Sequence, residues 1–155
     1  MDESAFPASL RFNLRRESSF SFKCQACGAC CHNKDIAVSP YEARRLARRL
    51  NLTVEEFFLQ CFEKEKPILR RKEDGSCIFL QPEGCSVYAD RPLVCRLFPL
   101  GLLVDGHGQE LFGVMPLHPD CLGLLAEEGT VASYLSSQAA LPYLRAHRAS
   151  WKSAD

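Results

Sequence analysis

The chain has 155 residues, 46% of them apolar, with 19 basic and 19 acidic side chains. Chains of that size hide about 70% of their unfolded surface on folding, so the nine cysteines are not needed as staples for an undersized core. Zero net charge gives no general electrostatic pull toward nucleic acid or anionic membrane, and no apolar run approaches the roughly 18 residues of a membrane span.

The N-terminus, MDESAFPASLRFNLRR, begins acidic and has no continuous apolar core, which argues against a secretory signal and for a cytoplasmic protein. Leu10, Phe12 and Leu14 alternate with polar residues, as do Phe20 and Phe22, and the period of two predicts two short strands. The stretch KCQACGACCHNK follows, with four cysteines within eight residues and Gly28 among them, where a tight turn is accessible.

SPYEARRLARRLN predicts a helix capped by Ser39, with Pro40 in its first turn and Glu42 at the capping-box position. Ala43, Leu46, Ala47 and Leu50 form its apolar stripe. Arg44, Arg45, Arg48 and Arg49 flank that stripe as a solvated face, or as a basic groove-binding one. TVEEFFLQCFEKE repeats the pattern, with Thr53 as cap and Glu56 completing the box. Cys61, among aromatic residues, reads as a small core residue.

Beyond Pro67 the pattern turns to strands and loops. ILRRK and CIFL are strand candidates separated by an EDGS turn, and PLGLLVDGHGQELFGVM reads as a hairpin turning at DGHG. A helical C-terminal tail over 130–152 starts at a Thr130 cap, with Pro142 ending or kinking the first helix. The expected fold class is α+β, a small single domain over 1–155 with short strands, several helices and irregular loops organised by cysteine-bound metal.

Nine thiols in a reducing cytosol do not suit a disulfide framework, and an odd count leaves one unpaired. Cys24, Cys27 and Cys30 recur at intervals of three. Zinc sites usually join one C-x-x-C pair to a distant one, whereas three successive thiols at this spacing are more typical of a cubane 4Fe-4S cluster. The fourth residue on is not a cysteine followed by proline, so the fourth ligand is Cys31 or a remote thiol. Neighbours in extended chain face opposite ways, so Cys31 serves a second centre. Cys77, Cys85, Cys95 and Cys121 complete a set of eight without Cys61. That number suits two four-thiolate sites, or one cluster plus reserve or redox thiols. His32 and His118 read as neighbours or turn residues, with ligation by either as the alternative, because the thiols already suffice. Lys23, Arg91 and Arg96 either donate to the thiolates or are ordinary surface charges; if only one cluster forms, Cys85 and Cys95 could cycle between dithiol and disulfide, with Arg91 and Arg96 lowering a thiol's pKa.

The blocks FKCQACGACC, GSCIFL, GCSVYADRPLVCRLFP and CLG closely resemble the YkgJ-type cysteine-cluster family, a zinc- or iron-chelating domain with eight cysteines. The likeness runs from Phe22 to about Gly123 (22–123). It implies metal ligation by Cys24, Cys27, Cys30, Cys31, Cys77, Cys85, Cys95 and Cys121, and leaves Cys61 outside. The favoured reading is an iron–sulfur protein with a redox or electron-transfer role and a protein redox partner. The alternatives are a zinc-stabilised binding module and, by family analogy alone, a metal-dependent protein-modifying enzyme.

Overall fold

The computed structural model describes residues 10–23, 35–64, 66–117 and 123–153. In chain order these form β1 (Ser19–Lys23), α1 (Pro40–Arg49), α2 (Val54–Cys61), β2 (Leu80–Gln81), β3 (Gly84–Cys85), a single 3-10 turn (Tyr88–Asp90), α3 (Leu93–Leu97), β4 (Leu100–Val104), β5 (Glu110–Val114), β6 (Leu124–Thr130), α4 (Val131–Ser137) and α5 (Leu141–Ser153). Helices and small antiparallel sheets make the class α+β, as expected. Two compact units divide the chain: Met1–Cys27 with Leu97–Ala140, and Gly28–Arg96 with Leu141–Asp155.

In the first unit, the predicted hairpin is β4 and β5, in register from Leu100↔Val114 to Val104↔Glu110. Its turn closes on Asp105, whose carboxylate accepts the N–H groups of His107 (2.8 Å) and Gln109 (2.9 Å). The predicted strand over Leu10–Leu14 shrinks to one bridge, in which Leu14 and Phe112 exchange two backbone hydrogen bonds of 2.9 and 2.8 Å. The reason is a close crossing: a Cβ on Gly113 would stand 2.5 Å from the Arg11 carbonyl oxygen. The backbone here runs over a side-chain-free residue instead of extending a ladder.

The second predicted strand is β1, and its partner is β6, which the sequence pattern did not disclose. LLAEEGT lacks alternation and is largely exposed, so pairing with β1 defines the strand, not its own burial pattern. The register runs Lys23↔Leu124, Phe22↔Leu125 and Ser21↔Ala126, then shifts before Ser19↔Thr130. Thr130 caps α4 with Ser133 in the reciprocal position. Phe20, Leu102, Phe112, Val131 and Leu135 are buried, and Phe20 meets Tyr134 edge to face at 5.1 Å.

In the second unit, α1 and α2 start as their sequences predict. Ser39 with Glu42 and Thr53 with Glu56 form complete capping boxes. Leu46, Phe57, Phe62, Leu69 and Phe79 belong to one buried cluster, with Phe57 and Phe62 edge to face at 5.2 Å. The strands predicted at ILRRK and CIFL are mostly absent; only Leu80–Gln81 is a strand. Partners change from residue to residue: Leu69 N–H donates to Ile36, Arg70 to Cys61, and Ile78 to Arg70. Backbone groups find hydrogen-bond partners in several different segments, and among the described residues of this unit only the two-residue ladder of β2 with β3 holds a register.

Pro142 neither ends nor kinks a helix. α4 stops at Ser137, Ala139 adopts φ 53°, and Pro142 sits in the first turn of α5. A residue lacking an N–H is accommodated there at no hydrogen-bonding cost. Among the described residues, no helix is long and apolar enough to cross a membrane.

Candidate metal centre

Among the described residues, three of the predicted ligands lie in the second unit around one core. Cys77 belongs to the buried cluster at 7% exposure, and half-buried Cys85 and Cys95 pack against it. Local structure brings the first two together. The Cys77 carbonyl accepts the Leu80 N–H (2.9 Å), β2 pairs Leu80 with Cys85, and Ser86 N–H donates to Phe79 (2.8 Å). Gly84, at φ 119°, permits the tight return between them. Cys95 sits on α3, which Pro92 precedes.

The chain leading from the cysteine-rich stretch is tethered to the same place. Leu69 N–H donates to Ile36 at 3.0 Å, and Val38 N–H donates to Pro67 at 2.9 Å. Arg71 pairs with Asp35 at 3.4 Å and forms a bridge with Cys77. Asp35, four residues beyond Cys31 in the chain, is thus held beside the segment that delivers Cys77. In the first unit, the pairing of Lys23 with Leu124 sets side by side the chain that enters Cys24 and the chain that leaves Cys121. A ring of Phe22 fills the space over Gly123, where a Cβ would come within 2.2 Å of it.

Arg91 and Arg96 are not surface charges: they are 8% and 2% exposed. Arg96 donates Nε to the Arg91 carbonyl (2.9 Å) and Nη2 to the Ala89 carbonyl (2.6 Å) and the Tyr143 hydroxyl (2.7 Å). Its guanidinium lies 4.1 Å from the Tyr143 ring centroid. Burial lowers its pKa, against the opposing pull of Tyr143. Arg91 donates to the Tyr88 carbonyl (2.9 Å) and stacks 4.0 Å over the Tyr88 ring. These contacts fold the 88–96 loop onto itself and fix α3, the element that carries Cys95. Lys23, by contrast, is exposed.

Glu42 was legible as a capping residue but not as a tether. At 7% exposure, one carboxylate oxygen accepts the Ser39 N–H (3.0 Å) while the other accepts the N–H of Leu93, the first residue of α3. Tyr143 carried no sequence signal at all.

Cys61 is a buried core thiol, as expected. Burial raises its pKa, Arg70 opposing and Cys77 adding to the effect. Cys24, Cys27, Cys30, Cys31 and Cys121, with His32 and His118, lie outside the described residues. Among the described residues, no three Cys, His, Asp or Glu side chains gather closely enough to hold a metal ion. The donor chemistry fits nonetheless: thiolates are the ligands that zinc and iron–sulfur clusters share.

Thiols borne by separate segments of an α+β chain supply the donor types of a zinc- or iron-chelating class of protein. The chain belongs to the CxxCxxCC family, whose model, described as a "putative zinc- or iron-chelating domain", matches residues 23–118. No curated protein and no solved structure matches it.

Proposed function

We propose that this is an iron–sulfur protein with a redox role, whose ligands are Cys24, Cys27, Cys30, Cys31, Cys77, Cys85, Cys95 and Cys121. The observation that carries the reading is the tethering of the chain segments that flank the cysteine-rich stretches. Asp35 is held by Arg71, which bridges Cys77, and Lys23 pairs with Leu124 between the approaches to Cys24 and Cys121.

Three thiols at intervals of three favour a 4Fe-4S cluster over zinc, since a cubane needs ligands spread over a wider surface. A bound cluster of this kind exchanges single electrons with a partner, at a potential set by charge and hydrogen bonding. The chain's own part is to deliver thiolates from fixed loops. Arg96 and Glu42 hold α3 so that Cys95 arrives in a defined position. A reducing, cytoplasmic compartment suits so many thiols, and the whole chain, 1–155, acts as one metal-binding body.

Anaerobic purification followed by iron, zinc and acid-labile sulfide analysis tests this. Iron with matching sulfide supports the proposal. Zinc without sulfide overturns it in favour of a metal-stapled binding module.

A further inference from the structure

One face of α1 is built for more than helix stability. Arg44, Arg45, Arg48 and Arg49, with Tyr41 and Asp90, line a cleft of about 430 Å³. Asp90 organises half of it. Its carboxylate accepts from Arg45 Nε (3.2 Å) and Nη2 (2.9 Å) and from Arg49 Nη1 (3.3 Å). Arg45 also donates to the Tyr41 hydroxyl (3.1 Å) and lies 4.8 Å from the Tyr143 ring centroid. Two guanidinium groups are therefore fixed in place.

Arg44 and Arg48 differ. Both are exposed, and among the described residues neither side chain makes a hydrogen bond or ion pair. A single carboxylate thus faces four guanidinium groups, leaving a local excess of positive charge. The helix does not require it. Arg48 and Arg49 lie in the last turn of α1 and complement its dipole there. Arg44 with Arg48 and Arg45 with Arg49, however, are like-charge pairs one turn apart, which oppose helix formation.

The charge is concentrated in one cleft on one helix, within a chain of zero net charge; an extended track for a charged polymer would spread it further. The volume falls in the range of small-molecule sites, about 300–1,000 Å³. Guanidinium forks match phosphate oxygens in geometry and remain charged at any physiological pH.

We propose that this cleft binds a small phosphate-bearing anion. Arg44 and Arg48 donate to its oxygens, and Arg45 and Arg49, fixed by Asp90, form the positive wall behind it. The site is independent of the metal reading.

Calorimetric titration of the metal-loaded protein with pyrophosphate at low salt tests it, with citrate as the carboxylate counterpart. The double variant Arg44→Gln/Arg48→Gln removes the unpaired donors. Arg145→Gln, exposed on α5, is the control. Saturable pyrophosphate binding that weakens about tenfold or more in the double variant, but is unchanged in the control, supports the proposal. Since neither arginine makes a contact that holds the fold, the double variant should match the parent in circular dichroism and metal content. The proposal is overturned by an absence of saturable pyrophosphate binding, by equal binding to the double variant, or by citrate binding as tightly as pyrophosphate.

Discussion

The Glu42 carboxylate accepts the backbone N–H of Leu93, 51 residues further along the chain. One side chain thereby caps the start of α1 and holds the start of α3, the helix on which Cys95 sits. Glu42→Ala removes the reciprocal cap and leaves the buried Leu93 N–H without its acceptor. A lost cap costs about 0.5–2 kcal/mol and an unsatisfied buried donor about 1–3 kcal/mol, so a loss of about 2–3 kcal/mol is expected in urea unfolding. Glu55→Ala, on the exposed side of α2, should stay within about 0.5 kcal/mol of the parent.

Cys61 and Cys77 share one core but should behave oppositely. Cys77→Ser should release metal, because a hydroxyl is a poor substitute for a thiolate at a soft metal. Cys61→Ala should leave metal content unchanged and cost about 1 kcal/mol, the scale of losing one buried apolar group. Metal analysis of both purified variants is the measurement; depletion in Cys61→Ala would show that the ligand set extends beyond the eight.

Gly113 marks where the Leu10–Leu14 segment crosses β5. Gly113→Ala would drive a methyl group to 2.5 Å from the Arg11 carbonyl oxygen, a backbone atom that cannot swing aside. Destabilisation of about 1–3 kcal/mol is expected, as for other overpacked sites. Gly106→Ala places its Cβ in open space and should be neutral or slightly stabilising, through reduced freedom of the unfolded chain. Paired thermal melts distinguish the two.

Asp105 makes the β4–β5 turn sensitive to acid. Hydrogen bonds from the backbone N–H groups of Gln109 and His107 hold its pKa below the ordinary carboxylate value. A depressed folded pKa means that the stabilisation is present above the unfolded value, about 3.9, and fades as pH falls through the folded one. Asp105→Asn keeps an acceptor in the turn but cannot titrate. The difference in stability between parent and variant should therefore be constant at pH values roughly a unit or more above the unfolded value, and shrink below pH about 4. Chemical denaturation across that range reads it out.

The elements that local chemistry specifies were legible in the residues. Two Ser/Thr-x-x-Glu boxes announced α1 and α2, the DGHG turn announced the β4–β5 hairpin, and Cys61 stood apart from the other thiols. Those signals work because a cap, a tight turn or an apolar stripe depends on residues within a few positions of one another. The spacing of Cys24, Cys27 and Cys30 is local in the same sense and points to thiolate ligation, while the likeness to the metal-chelating family rested on four blocks spread over 22–123.

Tertiary structure alone decided the rest. β6 exists because β1 lies beside it, and the backbone of Ile68–Leu80 finds a new partner at nearly every residue. Arg96 is buried because Tyr143, 47 residues away, and the Ala89 and Arg91 carbonyls take its donors. Its neighbours in sequence would have allowed it to stay in water. A buried charge or an orphan strand is stabilised by whichever distant groups satisfy its hydrogen bonds, and only the folded chain determines which groups those are.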